Sequence, residues 1–247
     1  MKRIFPFFLA GILLLSFSAC SSETSGPDQA SSTESSTVQP PETDSDATQS
    51  SSNTMEQEAV SPNSDSNILI AYFTMPEDVD TEGVDAIAGA SIVVNDGEVM
   101  GNVEYMASII QSTVGGDLFR IETVEQYPLD HDPLVDQAAQ EQDEDARPEL
   151  STHIENLEQY DTIFLGYPNW WGDMPQALYT FLEEYDFSGK TIIPFCPHGG
   201  SGFSRTESAI AELQPGAIVS ENGLTVSRND VAGSRDEVAQ WAAGFGL

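Results

Sequence analysis

Two glycine-rich turns, each directly after a short apolar run, constrain this chain more than any other feature. One is Gly166-Tyr167-Pro168-Asn169-Trp170-Trp171-Gly172, after Thr162-Ile163-Phe164-Leu165. The other is Cys196-Pro197-His198-Gly199-Gly200-Ser201-Gly202-Phe203, after Thr191-Ile192-Ile193-Pro194-Phe195. Continuous apolar runs bounded by turn residues read as strands buried on both faces, the signature of a parallel sheet. In an open α/β sheet the loops at the carboxyl ends of such strands form the ligand edge. Adjacent tryptophans there suit a flat aromatic ligand held by stacking. Glycines with free N–H groups suit its polar rim.

The remaining runs extend this reading. Ile68-Leu69-Ile70-Ala71-Tyr72-Phe73 is a third buried strand, and Leu118-Phe119-Arg120-Ile121-Glu122 alternates like an edge strand. A last strand spans Ala217 to Val226, irregular at Glu221-Asn222-Gly223. Apolar residues at helical spacing accompany them: Val103 to Val114, Leu150-Ile154-Leu157, Leu178 to Tyr185, Ile210-Leu213 and Val231-Val238-Trp241. Pro148 and Pro175 suit first-turn positions of two of these helices. Tyr127 to Pro133 reads as an acidic surface excursion before a helix at Leu150. His131 stands there between Asp130 and Asp132, and a solvated loop explains it better than a metal site, because no third ligand is in reach. Strand–helix alternation predicts an α/β fold with a doubly wound parallel sheet of five strands in the order 2-1-3-4-5.

Only part of the chain has this character. Lys2 and Arg3 precede an apolar run from Ile4 to Leu15, then Ser16-Phe17-Ser18-Ala19-Cys20. The run is too short for a lasting transmembrane helix and reads as an export signal over 1–20. Small residues before Cys20 resemble a bacterial lipoprotein processing site, although Phe17 stands where the pattern has leucine. The resemblance implies a lipidated Cys20, with an ordinary cleaved signal as the alternative. Residues 21–67 are rich in Ser, Thr, Asp, Glu, Gln and Pro with almost no aliphatics, which predicts a disordered acidic tether. Residues 68–247 are then one domain of 180 residues on the extracytoplasmic face of a membrane.

Of 41 acidic residues, nine lie in 21–67, which leaves 32 against six Lys and Arg in the domain. A balance of 26 negative charges argues against nucleic acid and favours a cationic partner or simple solubility. Once Cys20 is processed, Cys196 is alone, so no intrachain disulfide is expected, and a packed role suits it better than a catalytic one.

The strand ending Tyr72-Phe73-Thr74, the Met100-Gly101-Asn102-Val103 helix start, the Trp-Trp loop and the His198-Gly199-Gly200-Ser201-Gly202 loop together resemble the flavodoxin family, over Ile68 to Leu247. The resemblance implies FMN as cofactor and electron transfer or flavin-dependent reduction, with a quinone-like or protein redox partner. Thr74, Gly101, Asn102 and Val103 would form the phosphate loop. In the family, helix N–H groups and hydroxyls hold that phosphate without Lys or Arg. Here Met100 and Val103 stand where the family has threonines. Gly101 also lies 27 positions after Thr74 where the family has three, an insertion of 24 residues. The insertion holds Glu77, Asp78, Asp80, Glu82 and Asp85, which would repel a phosphate unless turned away, and a hairpin turned at Asn95-Asp96-Gly97 that would serve as a lid. Pro168, Asn169, Trp170, Trp171 and Gly172 would form the ring-stacking loop, one tryptophan in the core and the other on the ring. His198, Gly199, Gly200, Ser201, Gly202 and Phe203 would run under the pyrimidine edge. Phe203 or His198 would replace the family's outer tyrosine, and His198 could also deliver a proton. No metal is expected. A binding module that has lost its flavin is the alternative. A hydrolase built on Ser201 or Ser204 with His198 fits poorly, because no nucleophile elbow is present.

Overall fold

The computed structural model describes residues 67–84 and 86–247. The export signal with Cys20, the tether up to residue 66, and Asp85 lie outside the described residues. In chain order the elements are β1 (Ile68–Tyr72), β2 (Ala86–Ile87), β3 (Ile92–Asn95), β4 (Glu98–Gly101), α1 (Asn102–Val114), β5 (Asp117–Arg120), α2 (His131–Glu144), β6 (Thr162–Gly166), α3 (Gln176–Glu184), β7 (Thr191–His198), α4 (Thr206–Leu213), β8 (Ile218–Val219), β9 (Leu224–Ser227) and α5 (Arg235–Ala243).

The main sheet is parallel, in the order β5-β1-β6-β7 with β8 and β9 both on the outer side of β7. Counting β8 and β9 as one interrupted strand, this is the expected 2-1-3-4-5 order. β8 pairs with the start of β7 at Thr191–Ile192, and β9 with its end at Phe195–His198. The break falls at Ser220–Gly223, where Gly223 lets the Phe203 ring approach; a Cβ there would meet it at 2.7 Å. β1, β6 and the middle of β7 are buried throughout, because helices cover both faces. One face packs Leu69, Ala71, Ile163 and Leu165 under Leu178, Phe181 and Ile210. The other packs Ile70, Phe164 and Ile193 under Met106, Ile110 and Val238. Among the described residues no helix is long and apolar enough to cross a membrane.

The insertion forms its own three-stranded antiparallel sheet, β2-β3-β4. Its hairpin turns at Asp96 (φ 52°) and Gly97 (φ 88°), the two positive-φ residues that a tight hairpin needs. β4 runs into α1 without a loop: Gly101 ends the strand and caps the helix.

One helix is placed differently from expectation. Leu150, Ile154 and Leu157 do not form one. Leu150 bridges Thr123, Leu157 starts a single 3-10 turn, and all three pack into the core from irregular chain. The helix is instead α2, in the segment read as a surface excursion. Asp130 stands at its N-cap position, with Asp132 and Pro133 in its first turn, which suits a helix start. It buries only Leu134 and Ala138, and the Tyr127 hydroxyl anchors it by donating to Glu141 at 2.7 Å.

Candidate functional site

A cavity of about 300 Å³ opens at the carboxyl ends of β1, β6 and β7. Three loops and α2 converge on it, so the ligand edge expected from strand polarity is where the concave surface lies.

The floor comes from the β1 end and the α1 start. Thr74 and Asn102 are almost fully buried, and Thr74, Asn102 and Val103 all line the cavity. Gly101 stands behind them. A Cβ on it would lie 2.0 Å from the Thr74 hydroxyl oxygen, so only glycine lets the two segments meet across the insertion. The buried Oδ1 of Asn102 has no hydrogen-bond partner among the described residues. An orphaned acceptor at this depth is costly unless a ligand donor, or an acceptor for the turned amide, completes it.

The Trp-Trp loop forms one wall, with Pro168, Asn169, Trp170 and Trp171 lining the cavity. The tryptophans divide their work. Trp170 is half-buried and packs edge-on against Phe73 at 5.6 Å and Tyr127 at 5.7 Å, onto the core. Trp171 is 61% exposed, adopts φ 53°, and donates its ring N–H to the Val135 carbonyl of α2 at 3.3 Å. A bulky residue in the left-handed region is a strained placement of the kind found at ligand clamps. The loop is closed by Asp173, fully buried, whose backbone pairs with Trp170 in both directions at 2.8 and 2.9 Å. The Asp173 carboxylate accepts from Met174 N–H, the Tyr179 hydroxyl and the Arg205 guanidinium. Burial, with Asp173 beside it, pushes the Tyr179 phenol up to about 12.

The β7 loop supplies His198 and Gly199. His198 Nδ1 accepts from the Gly200 N–H at 2.9 Å, which leaves Nε2 as the ring's donor nitrogen. Gly172, Gly200, Ser201, Gly202 and Phe203 do not line the cavity. Gly172 donates to Asn169 Oδ1, Gly202 accepts from Asn169, and Ser201 accepts from Ser204. Phe203 turns inward to the core. Neither Ser201 nor Ser204 bonds His198, so no hydrolytic pair forms. Cys196 is buried, and burial raises its thiol well above the ordinary range.

Several lining residues lay outside the sequence reading. Leu134, Val135 and Ala138 of α2 form an apolar wall. His131, at the head of α2, meets Glu77 of the insertion at 2.7 Å across the cavity rim. Of the inserted carboxylates within the described residues, only Glu77 lines the cavity, and Asp78, Asp80 and Glu82 are exposed outside it. Among the described residues no three His, Cys, Asp or Glu side chains cluster as a metal site. Arg228, just past β9, completes the lining. It was legible in principle, because it follows the last strand at the ligand edge.

A protein assigned as a flavoprotein from Bacteroides uniformis has a similar structure, with 28% identity over 72% of this chain and 97% of that chain and a TM-score of 0.53. A second such protein, from Bacteroides eggerthii, has 24% identity over 70% and 98% of the two chains, with a TM-score of 0.49. A flavoprotein in complex with FMN from Lactobacillus acidophilus has 20% identity over 68% and 97%, with a TM-score of 0.45. No curated protein matches the chain. Residues 92–244 match the family model described as flavodoxin. With the strand order and the converging loops already described, this match places the chain in the flavodoxin family.

Proposed function

We propose that the cavity holds FMN and that the protein is a redox flavoprotein, in electron transfer or flavin-dependent reduction. The observation that carries this is a single cavity lined by Thr74, Asn102, Trp170, Trp171, His198 and Gly199, residues from three separate strand ends and the start of α1. Its buried, unpaired Asn102 Oδ1 fits a polar ligand reaching the α1 start.

Bound FMN would supply one- and two-electron chemistry. The chain's residues bind it, orient it and exclude water. Trp171 presents an exposed aromatic face, Trp170 backs it with the core, and α2 closes the apolar side with Leu134 and Val135. His198 can hold a proton at Nε2. The acidic exterior favours a cationic protein or a neutral quinone-like acceptor over an anionic one. Lipid on Cys20 and the tether over 21–67 would hold the domain at the extracytoplasmic face of the cell membrane.

Absorbance of the purified protein, with chromatography of the released chromophore, tests the reading. Flavin bands and released FMN are expected. A colourless protein that takes up no added FMN would overturn the reading and favour a binding module without flavin.

A further inference from the structure

Five of the six Lys and Arg residues of 68–247 are engaged within the domain. Arg120 pairs with Glu122, Arg147 with Asp145 and Glu183, and Arg205 with Asp173. Lys190 donates to the Tyr160 carbonyl at 2.6 Å, and the Arg235 guanidinium sits over the Tyr105 ring at 5.8 Å. The Arg228 guanidinium makes no hydrogen bond or ion pair with any described residue, and Arg228 lines the cavity. In a domain with 32 carboxylates, an arginine that pairs with none of those described is placed for an anion from outside.

Its backbone fixes where it stands. Arg228 N–H donates to the His198 carbonyl at 2.8 Å, which holds the end of β9 to the end of β7. Its guanidinium lies beside Gly199, where a Cβ would be 3.8 Å from both Cζ and Nε. His131, at the head of α2, is near enough to feel its charge.

A second, independent observation concerns the α1 start. The resemblance implies that N–H groups there wrap a phosphate. Here the Gly101 N–H already donates to the Glu104 carboxylate at 3.2 Å, and the Asn102 N–H to the Ser91 carbonyl of the insertion at 2.9 Å. Two donors are therefore engaged, and a carboxylate sits at the positive end of the helix. We propose that Arg228 supplies the positive charge this helix end lacks and holds the phosphate of the bound nucleotide. This rests on the FMN reading, but assigns the phosphate to a side chain at the last strand rather than to helix N–H groups alone.

FMN and riboflavin differ only in that phosphate, so the two ligands isolate it. Apoprotein of the full chain is titrated with each, by quenching of flavin fluorescence, for the wild type, Arg228→Gln and Arg228→Lys. For Arg228→Gln the expected result is about tenfold or greater loss of FMN affinity, with riboflavin affinity within about twofold of wild type. Arg228→Lys is expected to retain part of the FMN preference, because it keeps the charge but not the fork. Equal losses for both flavins, or a wild type that binds riboflavin as tightly as FMN, would overturn the assignment and leave the FMN reading standing. A wild type that binds neither flavin overturns both. Arg228 is exposed, so unchanged circular dichroism and melting of the variants are expected.

Discussion

Asn169 ties the two ring-side loops together: its Nδ2 donates to the Gly202 carbonyl at 3.0 Å. The same amide reaches Ser204 Oγ at 3.2 Å, and its Oδ1 accepts from the Gly172 N–H at 3.1 Å. Gly172 and Gly202, which do not line the cavity, thus brace Asn169, which does, as Gly200 braces His198. Asn169→Ala removes these three bonds. At about 0.5–1.5 kcal/mol each, roughly 1.5–4.5 kcal/mol of stability is expected to go, measured by urea unfolding. FMN affinity is expected to fall with it, since the walls of the cavity lose their register.

The two tryptophans are expected to separate in one experiment. Trp170→Ala opens a hole between Phe73 and Tyr127 and is expected to cost about 3–5 kcal/mol of stability. Trp171→Ala removes an exposed ring and is expected to leave unfolding within about 1 kcal/mol of wild type. Its effect appears in FMN titration, as a loss of about 1–3 kcal/mol of stacking. If the two variants behave alike, the division between core and face is wrong.

Asp173 holds the back of the Trp loop. Asp173→Ala strands the Met174 N–H and the Tyr179 hydroxyl and is expected to cost about 3 kcal/mol. For a domain of this size that is a fall of roughly 6–12 °C in melting temperature. Arg205→Ala is expected to cost less, because Arg205 is largely exposed.

His131 and Glu77 join α2 to the insertion. The hydrogen bond that His131 donates to Glu77, then the Glu77 charge, raises the His131 pKa above the ordinary 6.5. A raised folded value means that protonated His131 stabilises the joint. The contribution is complete below pH 6.5 and is lost as pH climbs through the raised value. Hydrogen exchange of the backbone around Glu77 is expected to accelerate as pH climbs through that raised value, and His131→Gln is expected to flatten that response. Exchange that is independent of pH, after correction for the intrinsic rate, would count against the joint.

Cys20 carries the proposed anchor. Cys20→Ala is expected to move the protein out of the membrane fraction or leave its precursor uncut, by fractionation and mass spectrometry. Unchanged, lipid-free processing would favour an ordinary signal peptide.

Much of the fold was legible because its strands are local statements. Ile68–Tyr72 and Thr162–Gly166 carry unbroken apolar runs at 68–71 and 163–165 and are buried at every position, as a doubly covered sheet requires. Asp96-Gly97 announced its hairpin by the same local chemistry. α2 was not legible, because two buried residues in 14 leave almost no apolar stripe, and its anchors, Tyr127 and the Trp171 ring, act from elsewhere in the chain. The spacing of Leu150, Ile154 and Leu157 misled for the converse reason. Irregular chain that follows a core surface can bury residues at intervals close to a helical turn. The Trp loop was legible as a site, but which tryptophan faces outward depends on Phe73, about a hundred positions away.

The direct passage of β4 into α1 has a mechanical consequence. A flap needs a hinge, and Gly101 cannot serve as one. It is wedged against Thr74, its N–H is capped by Glu104, and the next N–H is bonded to Ser91. The small sheet added between the first strand and first helix is therefore a doorframe and not a door. A ligand passing this rim finds its aperture set on this side by the rigid core, and the opposite jamb is α2, hung on an exposed imidazole, an indole N–H and the Tyr127 hydroxyl.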